Sequence, residues 1–165
     1  VAADDPLPLV LAGTSRALAY FDEITTHARW IIGRVDGNHE ATSAEELANL
    51  VGPLVEAHDA SRRAEVIAEL DEAVGSGRVV VGVEAVGEAT LAGRTRVLLA
   101  EEDFSYPARI VDRRLEPAGD PDAPGVIDDV VDELLEQALD LSGDVVIVGS
   151  GELGDHGPIA ALLRY

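Results

Sequence analysis

Residues 82–103 read GVEAVGEATLAGRTRVLLAEED, and two periods meet inside them. Up to Gly93 the spacing is that of a short helix, with the glycine as its stop. From Thr95 to Ala100 the chain turns into an apolar run, TRVLLA, with the length of a buried strand. The β-branched triplet Val79–Val81 lies just ahead of this helix and reads as a strand of its own.

Working outward, the same alternation continues. Upstream, Val66, Ile67, Leu70, Ala73 and Val74 mark one face of a helix that Gly75-Ser76-Gly77 ends. Before it, Ser43 and Glu46 have capping-box spacing, followed by Leu47, Leu50, Val51, Leu54 and Val55 at helical intervals. Gly52-Pro53 is expected to kink or divide that helix. Downstream, Tyr106–Val111 reads as an edge strand because of Pro107. Residues 112–125, rich in Pro, Gly and charge, read as an exposed loop. A helix is expected to turn Ile127, Val130, Val131, Leu134, Leu135 and Ala138 inward and its acids outward. Asp144–Gly149 and Ile159–Tyr165 are two further strands, joined by the Gly-rich loop SGELGDHGP. Helices alternating with strands argue for a layered α/β domain.

The first 42 residues are different. VAADDP, residues 1–6, reads as a frayed start or linker. Leu7–Ala12 is a short strand, Thr14 or Ser15 can cap a helix carrying Leu18, Ala19, Phe21 and Ile24, and Trp30–Val35 is a second strand. The turn Asp36-Gly37-Asn38 closes it, and Trp30 is assigned to packing.

Composition narrows the function classes. The 165 residues are 47% apolar but only 4% aromatic, so aliphatic side chains must fill the core. Cys is absent, which excludes disulfides and thiolate metal sites within the chain. Met is absent too, which reads as a fragment with further residues upstream. No apolar run has the length of a membrane span, and a soluble cytoplasmic domain is the expectation. All 12 basic residues are Arg, against 32 acids and a net charge of −20. Such a surface repels phosphate over most of its area, so nucleic acid would need a local Arg patch, and a partner with a basic surface fits more easily. The adjacent pairs Arg62-Arg63 and Arg113-Arg114, with Arg94 and Arg96, are the candidates for such a patch; surface ion pairing is the simpler reading.

Few residues suggest chemistry. His156 stands beside Asp155 with Glu152 close by, and a carboxylate can orient an imidazole. Adjacent residues seldom reach that geometry, so this is read as loop structure or a partner contact. His58-Asp59, Asp120 with Asp122, and Asp128-Asp129 could be drawn as hard-cation sites, but such pairs arise by chance in a chain this acidic. Gly75-Ser76-Gly77 and Gly149-Ser150-Gly151 lack P-loop spacing, and there is no Lys. No cofactor is expected.

Three motifs in order carry a family resemblance. Residues 82–103 resemble the helix–strand signature of the kink-turn-binding ribosomal-protein fold, GDHGPIAALLRY resembles the close of release-factor C-terminal domains, and PLVLAGTSRAL resembles the end of their middle domain. With VDGNHEATSAEEL, the chain resembles a bacterial member of the archaeal/eukaryotic class-1 peptide-chain release factor and Pelota-like superfamily. The resemblance implies a three-layer α-β-α domain with a mixed sheet over 43–165, and a strand-helix-strand remnant of a middle domain, or a linker, over 1–42.

It also implies what the chain does not do. RNA-binding relatives carry Gly-x-Asn-Glu-x-x-Lys at the helix start. Here Gly82 is kept, but Glu84 stands for the Asn, Ala85 for the Glu and Glu88 for the Lys, which replaces a cation with an anion at the point of contact. The Gly-Gly-Gln loop of peptide release is also missing. The expectation is a binding module rather than an enzyme: an adaptor in termination, ribosome rescue or hibernation that meets a translational GTPase or the ribosome. Its expected contacts are Glu84, Ala85 and Glu88 on the helix, and Gly154, Asp155, His156 and Gly157 in the loop. The rivals are a metal-dependent hydrolase or nuclease using Asp155, His156 and outlying carboxylates, and an RNA-binding domain.

Overall fold

The structure is a computed structural model that describes residues 7–165, so the expected linker at residues 1–6 lies outside it. The described chain divides into two compact units, meeting at Arg62 and Arg63.

In the second unit, strict alternation along β4 (Thr95–Glu101) sorts side chains to two faces: Leu98 and Ala100 enter one core, Val97 and Leu99 the other. β8 (Ile159–Leu163) does the same, with Ile159 and Ala161 against Ala160 and Leu162. β8 and the Val97–Ala100 stretch of β4 are apolar throughout because both faces are covered there, which is why period-2 amphipathicity is missing from their sequence. With β3 (Val79–Val81) and β7 (Asp144–Val148) they form a mixed sheet in the order β3-β8-β4-β7. β4 and β7 are parallel, and β8 runs antiparallel to its two neighbours.

Helices α3 (Val83–Leu91) and α4 (Val130–Asp140) cover one face through Val83, Val86, Val130 and Leu134. Leu70 and Ala73, near the end of α2 (Ala44–Ala73), cover the other. The result is the expected three-layer α-β-α arrangement. Both α3 and α4 end in the same hydrogen-bonded close. After α3, Gly93 N–H donates to Thr90 O and Arg94 N–H to Ala89 O; after α4, Ser142 N–H donates to Leu139 O and Gly143 N–H to Ala138 O. This is the Schellman pattern, with its left-handed residue at Gly93 (φ 71°) and Ser142 (φ 59°). Between α3 and β4, the buried hydroxyls of Thr90 and Thr95 satisfy each other at 2.9 Å.

Three expectations change here. The stretch 112–125 is not all loop: β5 (Ala108–Val111) pairs antiparallel with β6 (Arg114–Pro117) across a two-residue turn, Asp112-Arg113. Both turn residues have positive φ, 50° and 62°, the conformation such short hairpins need. Leu115 of β6 packs over Gly87 of α3, where an added Cβ would lie 2.4 Å from its Cδ1. Ile127 is not helical; it forms an isolated antiparallel bridge with Ala108, and Asp129 caps α4 by accepting from Val131 N–H at 2.9 Å. Finally, Gly52-Pro53 does not divide α2, which runs unbroken past Pro53. Proline removes one donor, and here each flank has its own anchor: Leu54 lies on Gly33 in the first unit, and Leu70 and Ala73 lie in the core of the second.

The first unit is a parallel pair, β1 (Leu9–Gly13) and β2 (Ile31–Asp36), with α1 (Ser15–Ile24) between them in sequence. Thr14 caps α1, Ser15 Oγ donates to Asp36 Oδ2 at 2.6 Å, and Arg34 pairs with Asp22. The capping box at Ser43 forms in both directions: Ser43 N–H donates to Glu46, and Glu46 N–H to Ser43 Oγ. The Ser43 N–H, with the Ser43 hydroxyl that also donates to this carboxylate, holds the Glu46 carboxyl below its usual range. None of the described residues of this unit is fully buried. Among all described residues, no helix is long and apolar enough to cross a membrane.

Candidate functional site

Gly82 precedes α3 with φ 80°, a value that costs glycine little, and its N–H donates to Ile159 O. From that start, the helical period buries Val83, Val86, Gly87, Ala89 and Thr90 and leaves Glu84, Ala85 and Glu88 exposed. Glu84 and Glu88 are one turn apart on the outer face with Ala85 beside them. The helix thus presents two carboxylates and a small flat residue.

The loop between β7 and β8 is built from its own backbone. Gly151, Gly154 and Gly157 all take positive φ, and Gly154–His156 forms one 3-10 turn. Glu152 folds back to accept from Gly149 N–H at 2.9 Å, and Leu153 is buried in the core. His156 does not pair with its neighbour Asp155. Its Nε2 lies 2.7 Å from Asp71 Oδ1 on α2; the carboxylate accepts, so the imidazole hydrogen is on Nε2. The His156 side chain is only 14% exposed, whereas Asp155 projects into solvent. Sequence reasoning missed Asp71. Nothing local to His156 signals a partner 85 positions away.

The topology places both stretches at one end of the sheet, where β3, β4 and β7 finish and β8 begins. Pro158 O there accepts from Glu101 N–H, and Val148 O from Glu102 N–H. Glu84, Glu101, Glu102, Asp103, Glu152 and Asp155 therefore share this end, with α3 and the His156–Asp71 contact on opposite sides of the sheet. The arginines gather at the other end, where Arg78 precedes β3, Arg94 precedes β4 and Arg164 follows β8. Arg164 serves the fold directly. Arg164 donates to the carbonyls of Thr95 and Leu141, capping the close of α4. Arg78 acts on Glu69, whose carboxyl is held below its usual range chiefly by its hydrogen bond to Arg96. That lowered value stabilises the fold above the ordinary carboxylate range and is lost as acid protonates Glu69. Arg113 and Arg114 sit apart from these, at the hairpin turn.

Among the described residues, no three His, Asp or Glu side chains are arranged to hold a metal ion, so the pairs at 58–59, 120 and 122, and 128–129 do not assemble into one. Asp120 and Asp128 instead accept from nearby backbone amides, and Asp129 is the cap of α4.

Comparison with solved structures defines the class. The C-terminal domain of a peptide chain release factor from Methanosarcina mazei is 26% identical, with a TM-score of 0.55 over 76% of this chain and 97% of that domain. Pelota from Archaeoglobus fulgidus is 23% identical, with a TM-score of 0.50 over 98% of this chain and 50% of its own. An archaeal Pelota, described bound to the ribosome with ABCE1, is 20% identical, with a TM-score of 0.57 over 94% of this chain and 43% of its own. This chain spans about half the length of those Pelota proteins. No curated protein matches it. The fold is that of release-factor and Pelota C-terminal domains. Residues 1–94 match the bacterial archaeo-eukaryotic release factor family 3, and the chain belongs to that family.

Proposed function

We propose that this chain is a translation-associated docking module, using the acidic end of its second unit to bind a basic protein surface on the ribosome or on a ribosome-bound factor in the cytoplasm. The observation that carries this is the distribution of charge along the sheet: six carboxylates gather at one end, while Arg78, Arg94 and Arg164 lie at the other, where Arg164 is held by the fold. A local field of one sign steers and orients a partner of the other. Family membership supports a translation role. So do the structural neighbours, one described on the ribosome with ABCE1 and another, the yeast protein Dom34, as interacting with Hbs1. Glu84, Ala85 and Glu88, with Gly154–Gly157, are the proposed contacts, and termination, rescue and hibernation are the settings such a module serves. Residues 1–42 are proposed as the end of a preceding middle domain.

The test is co-sedimentation of the full-length protein with ribosomes from its own cell extract, beside a Glu84→Lys/Glu88→Lys variant. Both positions are exposed, so the fold should not change. The unchanged protein should sediment with ribosomes. Reversing two charges at a docking face should lower the bound fraction about tenfold. Equal sedimentation of the two proteins would remove α3 from the interface, and no sedimentation of either would remove the reading.

A further inference from the structure

An open groove of about 360 Å³ lies between the end of α2 and the Gly154–His156 turn. Ile67, Leu153 and Val74 give it an apolar part of its lining, and Val74 is left 58% exposed. Its rim carries three carboxylates, Asp71, Glu152 and Asp155. They are not equivalent. Asp71 receives the His156 imidazole on one oxygen, and Glu152 receives Gly149 N–H on one of its own, so both are fixed in place with an oxygen left over. Asp155 is exposed and engages no other described side chain.

We propose that this groove receives an arginine or lysine side chain presented by a protein partner. This inference rests on the docking reading above and names one contact within it. A long cationic side chain has the shape and chemistry of this site. Its aliphatic stem would lie over Ile67, Val74 and Leu153, and its head would reach the carboxylates. A purely apolar segment would leave the three acids facing a dry contact, and an anionic one would be repelled. The imidazole of His156 is the positioning group, because it holds Asp71 at the rim and ties the loop to α2.

The test uses a defined probe. ¹⁵N-labelled chain is titrated at millimolar concentrations with acetyl-Leu-Arg-Leu-amide, and in parallel with acetyl-Leu-Gln-Leu-amide. The arginine peptide should shift the amides of Asp71, Val74, Leu153, Asp155 and His156, and the glutamine peptide should not. Asp155→Asn should weaken binding about threefold, the scale of one exposed ion pair, with the remaining spectrum unchanged. Val74→Lys should block it by placing a cation of the chain's own in the groove. Equal shifts from both peptides, or none from the arginine peptide, would overturn the proposal. If the peptide fails while the full-length protein still sediments with ribosomes, the groove alone is wrong. If the peptide binds but nothing sediments, the ribosomal setting is wrong and the cation site stands.

Discussion

Leu70→Ala is expected to lower the free energy of unfolding by about 2–5 kcal/mol, the range for truncating a large aliphatic side chain in a packed core. Leu70 is 0% exposed and packs with Val97, Leu99, Val146 and Leu162, which all come from the sheet. It is also the largest fully buried side chain that α2 contributes to this face; Val66 and Ile67 are only partly covered. Removing it should therefore loosen the whole third layer. Urea unfolding of the variant should show the midpoint falling in proportion. Val74→Ala, a change of similar chemistry at a residue 58% exposed just beyond the same helix, should cost no more than about 0.5 kcal/mol. Similar small costs at both sites would mean that the end of α2 is not a layer of the domain.

The close of α4 provides the second large effect, through two adjacent substitutions of opposite sign. A Cβ on Gly143 would lie 2.8 Å from Ala138 O and 3.2 Å from Thr95 O. Neither carbonyl can yield: Ala138 O already accepts from Gly143 N–H at 2.7 Å, and Thr95 O accepts from the Arg164 guanidinium. Gly143→Ala should therefore destabilise by about 1–3 kcal/mol, as overpacking against fixed groups does. Its neighbour Ser142 holds φ 59° with a side chain that gains nothing from the conformation, whereas Gly93 occupies the matching place after α3. Ser142→Gly relieves that cost and should stabilise by about 0.5–1 kcal/mol, less than the full left-handed penalty because glycine loses more freedom on folding. Thermal melts of the two variants should move in opposite directions from the unchanged chain. A Gly143→Ala melt at or above the parent's would contradict the Schellman geometry.

What could be read from the sequence follows from where the physics is local. β4, β7 and α3 were legible because a buried strand and a glycine-stopped helix each write their pattern into consecutive residues. The capping box at Ser43 and Glu46 was legible for the same reason, since both of its hydrogen bonds span three positions. The β5–β6 hairpin was not, because Asp112-Arg113 adopts a turn that Asn and Gly usually announce. The continuity of α2 through Pro53 was hidden as well: proline is a local signal, and the anchors that outweigh it, Gly33 and the core around Leu70, are distant in sequence. At the candidate site, Glu84, Ala85 and Glu88 were picked out by the motif positions of the family resemblance, while the Asp71 partner of His156 had no such signal. Nor had the gathering of acids at one end of the sheet, which depends on strand order.

The central claim, that this acidic end meets a component of the translation apparatus, is tested most directly by site-specific photocrosslinking. A photoreactive amino acid replaces Ala85, the exposed small residue between Glu84 and Glu88, in the full-length protein in its native cells, and Leu139, 58% exposed on α4, serves as the comparison position. The account predicts a dominant crosslink from position 85 to one ribosomal protein or translational GTPase with a basic surface, weak or absent from position 139. Crosslinks from position 85 that fall on no translation component, or that match those from position 139, would contradict it.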